Sequence, residues 1–219
     1  MARRPKQLQL AGTVGWGGAR KGAGRPRVFR APSPTHAARF PHDARLPVHV
    51  TLRARPGVPS FRSERVFRPL LRAIGRAQRE SFRVIHFSVQ TDHIHMIVEA
   101  TSSASLVRGC HGLAIRCALA VNGSAKRRGP VWAHRYHTHA LRTPREVRHA
   151  LAYVLLNFRK HLRAAPGIDP RSSGMWFDGW KSGLPVAPSP SIVRAPRTWL
   201  ASVGWRRSGL IGFEEGPAA

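Results

Sequence analysis

Two histidines, His93 and His95, lie two positions apart in a segment where apolar and polar residues alternate. Side chains two apart on a β-strand project from the same face, with their Cα atoms roughly 7 Å apart. Two imidazoles at that separation can converge on one divalent metal ion, for which histidine is a common ligand. The large apolar Ile94 between them would anchor the strand in a core, and the pair therefore predicts a metal centre on the opposite face of the sheet.

A second pair of polar residues, Tyr153 and Asn157, is four positions apart in an amphipathic helical segment. Residues at i and i+4 stack on one face of a helix, so both could reach the same sheet surface. Asn157 could add an oxygen ligand, and Tyr153 could present its phenol as a nucleophile. A phenol with a pKa near 10 is a weak nucleophile unless a metal activates the phosphate that it attacks. Taken singly, an interfacial aromatic and a surface amide are the simpler interpretations.

The charge of the chain restricts the class of partner. Its 219 residues include 37 Lys and Arg against 10 Asp and Glu, which gives a formal net charge of +27. Such an excess attracts polyanions and favours nucleic acid over a neutral substrate. A basic composition inherited from a GC-rich genome is the alternative explanation.

The cysteines and the hydropathy indicate the compartment. Cys110 and Cys117 fall in a helical pattern about 10 Å apart, which is too far for a disulfide, and they are predicted to be buried thiols. The chain has no continuous run of about 18 apolar residues and no apolar stretch behind its basic N-terminus. We therefore expect a cytoplasmic, nucleoid-associated protein with no membrane partner.

Hydrophobic periodicity predicts the elements that must position these residues. Two-residue alternation predicts strands at 46–53, 83–90, 93–100 and 131–142. A helical period predicts helices at 61–80, at 104–122 and after Thr143, which would cap the third helix together with Pro144 and Glu146. The order β-α-β-β-α-β predicts an α+β, ferredoxin-like antiparallel sheet with an additional C-terminal helix.

The two faces of this sheet are predicted to differ. Two helices cover one face, while the third helix and a substrate meet the other. In the second strand, the apolar side is predicted to hold Ile85, Phe87 and Val89, and His86 and Ser88 point away from it. The open face is predicted to carry His49, Thr51, His86, His93 and His95.

The chain divides by composition into three parts. Residues 1–45 are predicted to be a flexible basic arm, in which Arg25 and Arg27 suit a narrow DNA minor groove. A generic solvated tail is the alternative for this arm. Residues 46–164 form the predicted catalytic domain, and residues 165–219 an irregular tail rich in Pro, Gly and Trp. That tail would wrap the domain through Trp176, Trp180, Trp199 and Trp205.

The combination of motifs resembles one enzyme family. The strand His93-Ile94-His95 resembles the HUH motif, in which two histidines flank a large hydrophobic residue. The helix carrying Tyr153 and Asn157 resembles the catalytic helix with a single tyrosine and an amide one turn later. Together with the opening strand at 47–51, these segments resemble the single-tyrosine HUH transposases, and within them the REP-associated tyrosine transposases.

The resemblance implies a DNA transposase-like enzyme that cleaves and rejoins single-stranded or hairpin DNA. It implies that His93, His95 and Asn157 hold Mg²⁺ or Mn²⁺, and that Tyr153 forms a 5′-phosphotyrosine bond and releases a 3′-OH. Insertion-sequence members of the family carry Gln where this chain has Asn157, and the Asn fits the REP-associated branch. Two imidazoles with one amide oxygen are softer than a typical Mg²⁺ site, so we expect Mn²⁺ to serve better in vitro.

The expected partner is DNA that forms hairpins, with palindromic repeats as the candidate sequences. DNA contacts are predicted at Arg25, Arg27, Arg53, Arg135, Tyr136 and Lys160. Tyr136 is also the alternative nucleophile, ranked lower because its strand is expected at a sheet edge.

Two further questions stay open at the level of sequence. Both a monomer and a homodimer are compatible with it. The alternative function is a non-catalytic or domesticated nucleic-acid-binding protein on the same fold. Such binders stack bases on sheet aromatics, whereas the predicted face carries histidines, which favours the enzyme.

Overall fold

The elements follow one another in the predicted order. The structure, a computed structural model, describes residues 41–159, 165–183 and 190–215. Its main elements are β1 (Val48–Arg53), α1 (Glu64–Arg76), β2 (Phe82–Val89), β3 (His93–Ala100), α2 (Ser103–Ser124), β4 (His137–Ala140) and α3 (Pro144–Leu156). A short helix, α4 (Trp199–Ser202), lies between 3₁₀ turns at Gly174–Trp176 and Gly204–Ser208.

The four strands form one antiparallel sheet in the order β2-β3-β1-β4. This strand order and the β-α-β-β-α-β succession of elements confirm the predicted ferredoxin-like α+β fold. In the register, Thr51 of β1 lies between His95 of β3 and His137 of β4. His49 lies between Ile97 and His139 in the next row.

Each face of the sheet has its own apolar cluster. Val48, Val50 and Leu52 of β1 point toward α1 and α2, together with the alternate residues of β3. The other face packs against α3, whose buried side chains meet Ile97 of β3. Burying these side chains contributes about 25 cal/mol per Å² of apolar surface, which is what holds α3 against the strands.

The sequence analysis predicted the wrong face of the sheet for one residue of β2, Ile85. The pairing of β2 with β3 shifts register between Val84 and His86. A bulge of this kind adds a residue to one strand, so the alternation is interrupted there. Ile85 therefore joins the cluster under α3, whereas Phe87 and Val89 keep their predicted place under α1 and α2.

The fourth strand is shorter than predicted, and the third helix begins as predicted. The sequence predicts a strand at 131–142, but β4 covers only His137–Ala140, and Trp132 forms an isolated bridge with Ala54. At the start of α3, the Thr143 hydroxyl accepts a hydrogen bond from Glu146 N at 3.1 Å. The Glu146 carboxylate in turn accepts from Arg142 N at 2.6 Å, one residue before the usual capping-box partner.

The described part of the C-terminal region packs on both sides of the sheet, with Val193 in the cluster under α1 and α2 and Phe177 in the cluster with α3. Trp180 and Trp205 are buried in the cluster with α3, whereas Trp199 is 48% exposed. Ser172 forms an isolated antiparallel bridge with Ser88, so this region extends the pairing at the edge of β2.

Helix α2 is a core helix that carries both cysteines of the sequence. Cys110 and Cys117 are buried and form no disulfide, as predicted, and burial raises the pKa of the Cys117 thiol to about 12. By length and composition alone, α2 could cross a membrane. A single helix of this kind is weak support for a span, because helices that pack in a core, as α2 does through Leu113 and Val121, meet the same criterion.

Candidate active site

His95 is oriented by contacts on both sides of its ring. Its Nδ1 atom lies 3.1 Å from Thr51 Oγ1 and 3.2 Å from His49 Nε2, both on β1. Its Nε2 atom lies 3.5 Å from the Tyr153 hydroxyl, and the two rings meet edge to face with centroids 5.0 Å apart. The Nδ1 atom of His95 therefore faces β1, and its Nε2 atom faces α3.

His93 packs against the ring of His95 and forms a hydrogen bond with a carboxylate. The two imidazole centroids are 4.7 Å apart, and the Nδ1 atom of His93 lies 2.7 Å from Asp92 Oδ1. Burial alone would raise the pKa of Asp92, but its hydrogen bond to His93 and the charges of His93 and Arg53 lower it overall. A histidine held at one nitrogen by a carboxylate is the arrangement that orients the other nitrogen toward a metal.

Asn157 is the C-cap residue of α3, and its side-chain amide is buried. It is fully buried, and its backbone N–H donates to Tyr153 O at 3.0 Å. Neither Oδ1 nor Nδ2 of its side chain has a hydrogen-bond partner within the described part of the chain. Since buried polar groups are nearly always partnered, an amide oxygen kept in this state fits a ligand that is not part of the protein.

An amide oxygen is a donor type that a divalent ion accepts beside imidazole. Within the described residues, no group of three or more His, Cys, Asp or Glu side chains is arranged to hold a metal ion. The two histidines of β3 and the buried amide oxygen of Asn157 are the residues here that could hold one.

The histidine surface extends across β1 to β4. Burial, together with smaller contributions from the charges of His139 and His137, lowers the pKa of His49 to about 4. His49 is therefore neutral at pH 7. His137 and His139, the second His-x-His of the sequence, are exposed and lie opposite Thr51 and His49 in the register.

The two tyrosines occupy different environments. The Tyr153 hydroxyl lies beside His95, and its ring also meets His49 edge to face at 5.8 Å. Tyr136 is partly buried and packs against the cluster under α1 and α2.

The predicted DNA-binding residues fall into two groups. Arg53 is 71% exposed and pairs with Asp92 at 3.3 Å, so it lies at the margin of the histidine pair. Arg135 is exposed just before β4. Arg25, Arg27 and Lys160 lie outside the described residues.

Sequence reasoning did not single out Asp92 or Gln90. Asp92 directly precedes His93, and this adjacency was the available signal. Gln90 is three residues before His93, and alternation from Phe87 onward puts it on the face of Ser88. His86, which was predicted to lie on the open face, is buried against Phe177, with ring centroids 5.2 Å apart.

Comparison with known proteins gives a likeness in fold. The sequence matches no protein-family model and no curated protein. A solved structure described as a REP-associated tyrosine transposase bound to a REP hairpin is similar, with a TM-score of 0.54 at 15% sequence identity. The match covers 73% of this chain and 94% of that chain. At this identity the likeness concerns the fold, and it agrees with the fold that the motif resemblance implied.

Proposed function

We propose that this protein is a DNA-processing enzyme that cleaves and rejoins single-stranded or hairpin DNA through Tyr153. The observation that carries the proposal is the placement of the Tyr153 hydroxyl 3.5 Å from Nε2 of His95, beside the second histidine of the pair. The fold shared with a transposase bound to a DNA hairpin supports DNA as the substrate. The net charge of +27 supports it independently. A nucleoid-associated location in the cytoplasm is part of this proposal.

The proposal assigns the cation site to His93, His95 and Asn157. When bound there, Mg²⁺ or Mn²⁺ would polarise the phosphate that is attacked. Asp92, Thr51 and His49 position the two imidazoles through Nδ1. Their proposed role is to position these ligands.

The covalent step assigned to Tyr153 conserves the number of phosphate ester bonds. The phenolic oxygen, having lost its proton, forms a bond to phosphorus, and the bond from phosphorus to the 3′ oxygen breaks. The 3′ oxygen takes up a proton and becomes a free hydroxyl. Because one ester replaces another, the reverse reaction with a 3′-OH releases the tyrosine and rejoins the strand.

A denaturing gel tests the proposal directly. Incubation of the protein with Mn²⁺ and a labelled hairpin oligonucleotide should give a covalent protein–DNA adduct. Tyr153→Phe should abolish the adduct because the attacking oxygen is removed, and Tyr136→Phe, the matched control, should retain it. An adduct that persists in Tyr153→Phe would contradict the assignment, and its loss only in Tyr136→Phe would move the role to that residue.

A non-catalytic nucleic-acid-binding protein is the second candidate, and the net charge favours it equally. It predicts that DNA binding is unchanged by a chelator and by replacement of both His93 and His95 with Ala. It also predicts that the unaltered protein forms no adduct with any hairpin. The same gel therefore separates the two functions.

A further inference from the structure

Gln90 lies directly across the sheet from His93. Its backbone N–H donates to His93 O at 2.8 Å, which continues the pairing of Val89 with Ile94 by one residue. The side chains of Val89 and Ile94 lie in the cluster under α1 and α2. Because strand side chains alternate, Gln90 belongs to the face that carries His93 and His95.

The carboxamide of Gln90 is buried, and one of its two polar atoms has a hydrogen-bond partner among the described residues. The side chain is fully buried, and its Nε2 donates to Ser88 Oγ at 2.7 Å. Ser88 is itself fully buried and lies opposite His95 in the register. The other amide atom, Oε1, has no hydrogen-bond partner among the residues that the structure describes. An apolar residue of the same shape would avoid the cost of burying this oxygen, so the presence of an amide favours a ligand as its partner.

The backbone beside Gln90 is held in place by a buried ion pair. Arg62 Nη1 donates to Val89 O at 2.8 Å and also to Asp169, whose side chain is fully buried. Ser88 fixes the amide group on the neighbouring side. These contacts restrict both the backbone next to Gln90 and its carboxamide, on the sheet face that carries the histidine pair.

We propose that Gln90 Oε1 is a further oxygen ligand of the divalent cation at the His93–His95 centre. This rests on the proposed function, which assigns the cation to that centre. Mg²⁺ and Mn²⁺ prefer oxygen donors, and a second amide oxygen beside that of Asn157 makes the donor set harder than two imidazoles and one amide. Ser88 is the positioning residue that turns Oε1, rather than Nε2, toward the ion.

Titration of the full chain with Mn²⁺ alone tests this assignment, with binding followed by the electron paramagnetic resonance signal of the free ion. Q90M should weaken binding at least about tenfold, the effect seen when a metal site loses a supporting group. Without metal, its thermal unfolding temperature should stay equal or rise because an unsatisfied buried group is gone. Q90E should bind Mn²⁺ more tightly than the unaltered protein because it adds a charged oxygen.

Gln78 provides the matched control. Its amide bonds the backbone of Val84 and Ile192, so Q78M should lower the unfolding temperature and leave the Mn²⁺ affinity unchanged. Binding by Q90M within about threefold of the unaltered protein, when H93A abolishes binding, overturns the Gln90 proposal alone. Should Q90M fail to fold, Q90E decides: tighter binding supports the proposal, and unchanged or weaker binding overturns it. Failure of the unaltered protein to bind Mn²⁺ overturns the metal centre together with it.

Discussion

Thr51 and His49 both contact the Nδ1 atom of His95, at 3.1 Å and 3.2 Å. An imidazole held at Nδ1 directs Nε2 to its other side, where the Tyr153 hydroxyl lies. Asp92 holds His93 at the same ring position. Supporting groups of this kind change metal affinity or activity by roughly 10- to 100-fold when they are lost, so β1 and the turn before β3 belong to the site.

His86 gives the folded protein a dependence on pH that is separate from its chemistry. Burial lowers its pKa from 6.5 to about 3, so the folded protein keeps it neutral while the unfolded chain protonates it below about pH 6.5. Stability contributed by the neutral form is therefore complete above that pH and is lost as pH falls toward 3. At pH 5 the loss is about 2 kcal/mol.

Urea unfolding at pH 7 and pH 5 measures this effect. His86→Gln removes the titration and can still bond the Ser173 hydroxyl, which lies 3.1 Å from His86 Nδ1. The unaltered protein should lose about 2 kcal/mol more than His86→Gln between the two pH values. An equal loss in both proteins would show that His86 titrates alike in the folded and unfolded states.

At the scale of single residues, spacing predicted some placements and missed others. The two-residue spacing of His93 and His95 and the four-residue spacing of Tyr153 and Asn157 are properties of a strand and a helix, so their common faces could be predicted. Burial of Gln90 depends on chain segments far away in sequence, which no local pattern encodes. The sequence analysis therefore did not include Gln90 among the candidate residues.

At the scale of elements, the C-terminal region and α3 stabilise each other through apolar packing and an ion pair. Trp205 and Trp180 are buried in the cluster beneath α3, and Arg148 of α3 pairs with Glu215 at 2.8 Å. The helix that carries Tyr153 is thus enclosed from the side opposite the sheet. Its position relative to His95 depends on this packing.

The buried pair of Arg62 and Asp169 joins the C-terminal region to the end of β2. Both carboxylate oxygens of Asp169 accept hydrogen bonds from Arg62 at 2.8 Å. Asp169→Ala should cost about 3–5 kcal/mol in urea unfolding because it leaves a largely buried guanidinium without its partner. The double variant with Arg62→Ala should lose less than the sum of the single losses.

Asp178 and Arg206 form the matched exposed pair, with side chains 67% and 33% exposed. Asp178→Ala should cost no more than about 1 kcal/mol because solvent screens this pair. If the two Asp variants lost equal stability, the buried pair of Arg62 and Asp169 would not stabilise the end of β2 more than an exposed pair does.

The limits of some elements, and the faces of their side chains, were predicted better than others, and the reasons are physical. The strong alternation of β3 and the capping residues of α3 fixed their limits closely. Ile85 was misassigned because a bulge interrupts alternation without any marker such as Gly in the sequence. The fourth strand was overestimated because its residues have strand character, whereas β1 pairs with only four of them.

At the scale of the whole molecule, the net charge of +27 predicts a DNA affinity that depends strongly on salt. Each phosphate neutralised by Lys or Arg releases counterions, so six to ten contacts would lower affinity by about 10³-fold or more between 50 and 200 mM salt. Fluorescence anisotropy with a labelled hairpin measures this dependence. An affinity that does not change with salt would contradict a phosphate-binding surface.

Arg53 is the residue predicted to contribute to that dependence at the site. Replacing Arg53 with Ala should weaken binding and reduce the slope of affinity against salt by about one. Arg72, an exposed residue of α1 on the other layer of the fold, provides the matched control and should leave the slope unchanged.

Identification of the residue that is linked to DNA tests the central claim most directly. Trypsin would release Tyr153 in the peptide 149–159 and Tyr136 in the separate peptide 136–142. After reaction with a hairpin, nuclease trimming and trypsin digestion, mass spectrometry should find the nucleotide mass on Tyr153 in the peptide 149–159. A nucleotide attached to the peptide 136–142, or to any residue other than Tyr153, would contradict the account.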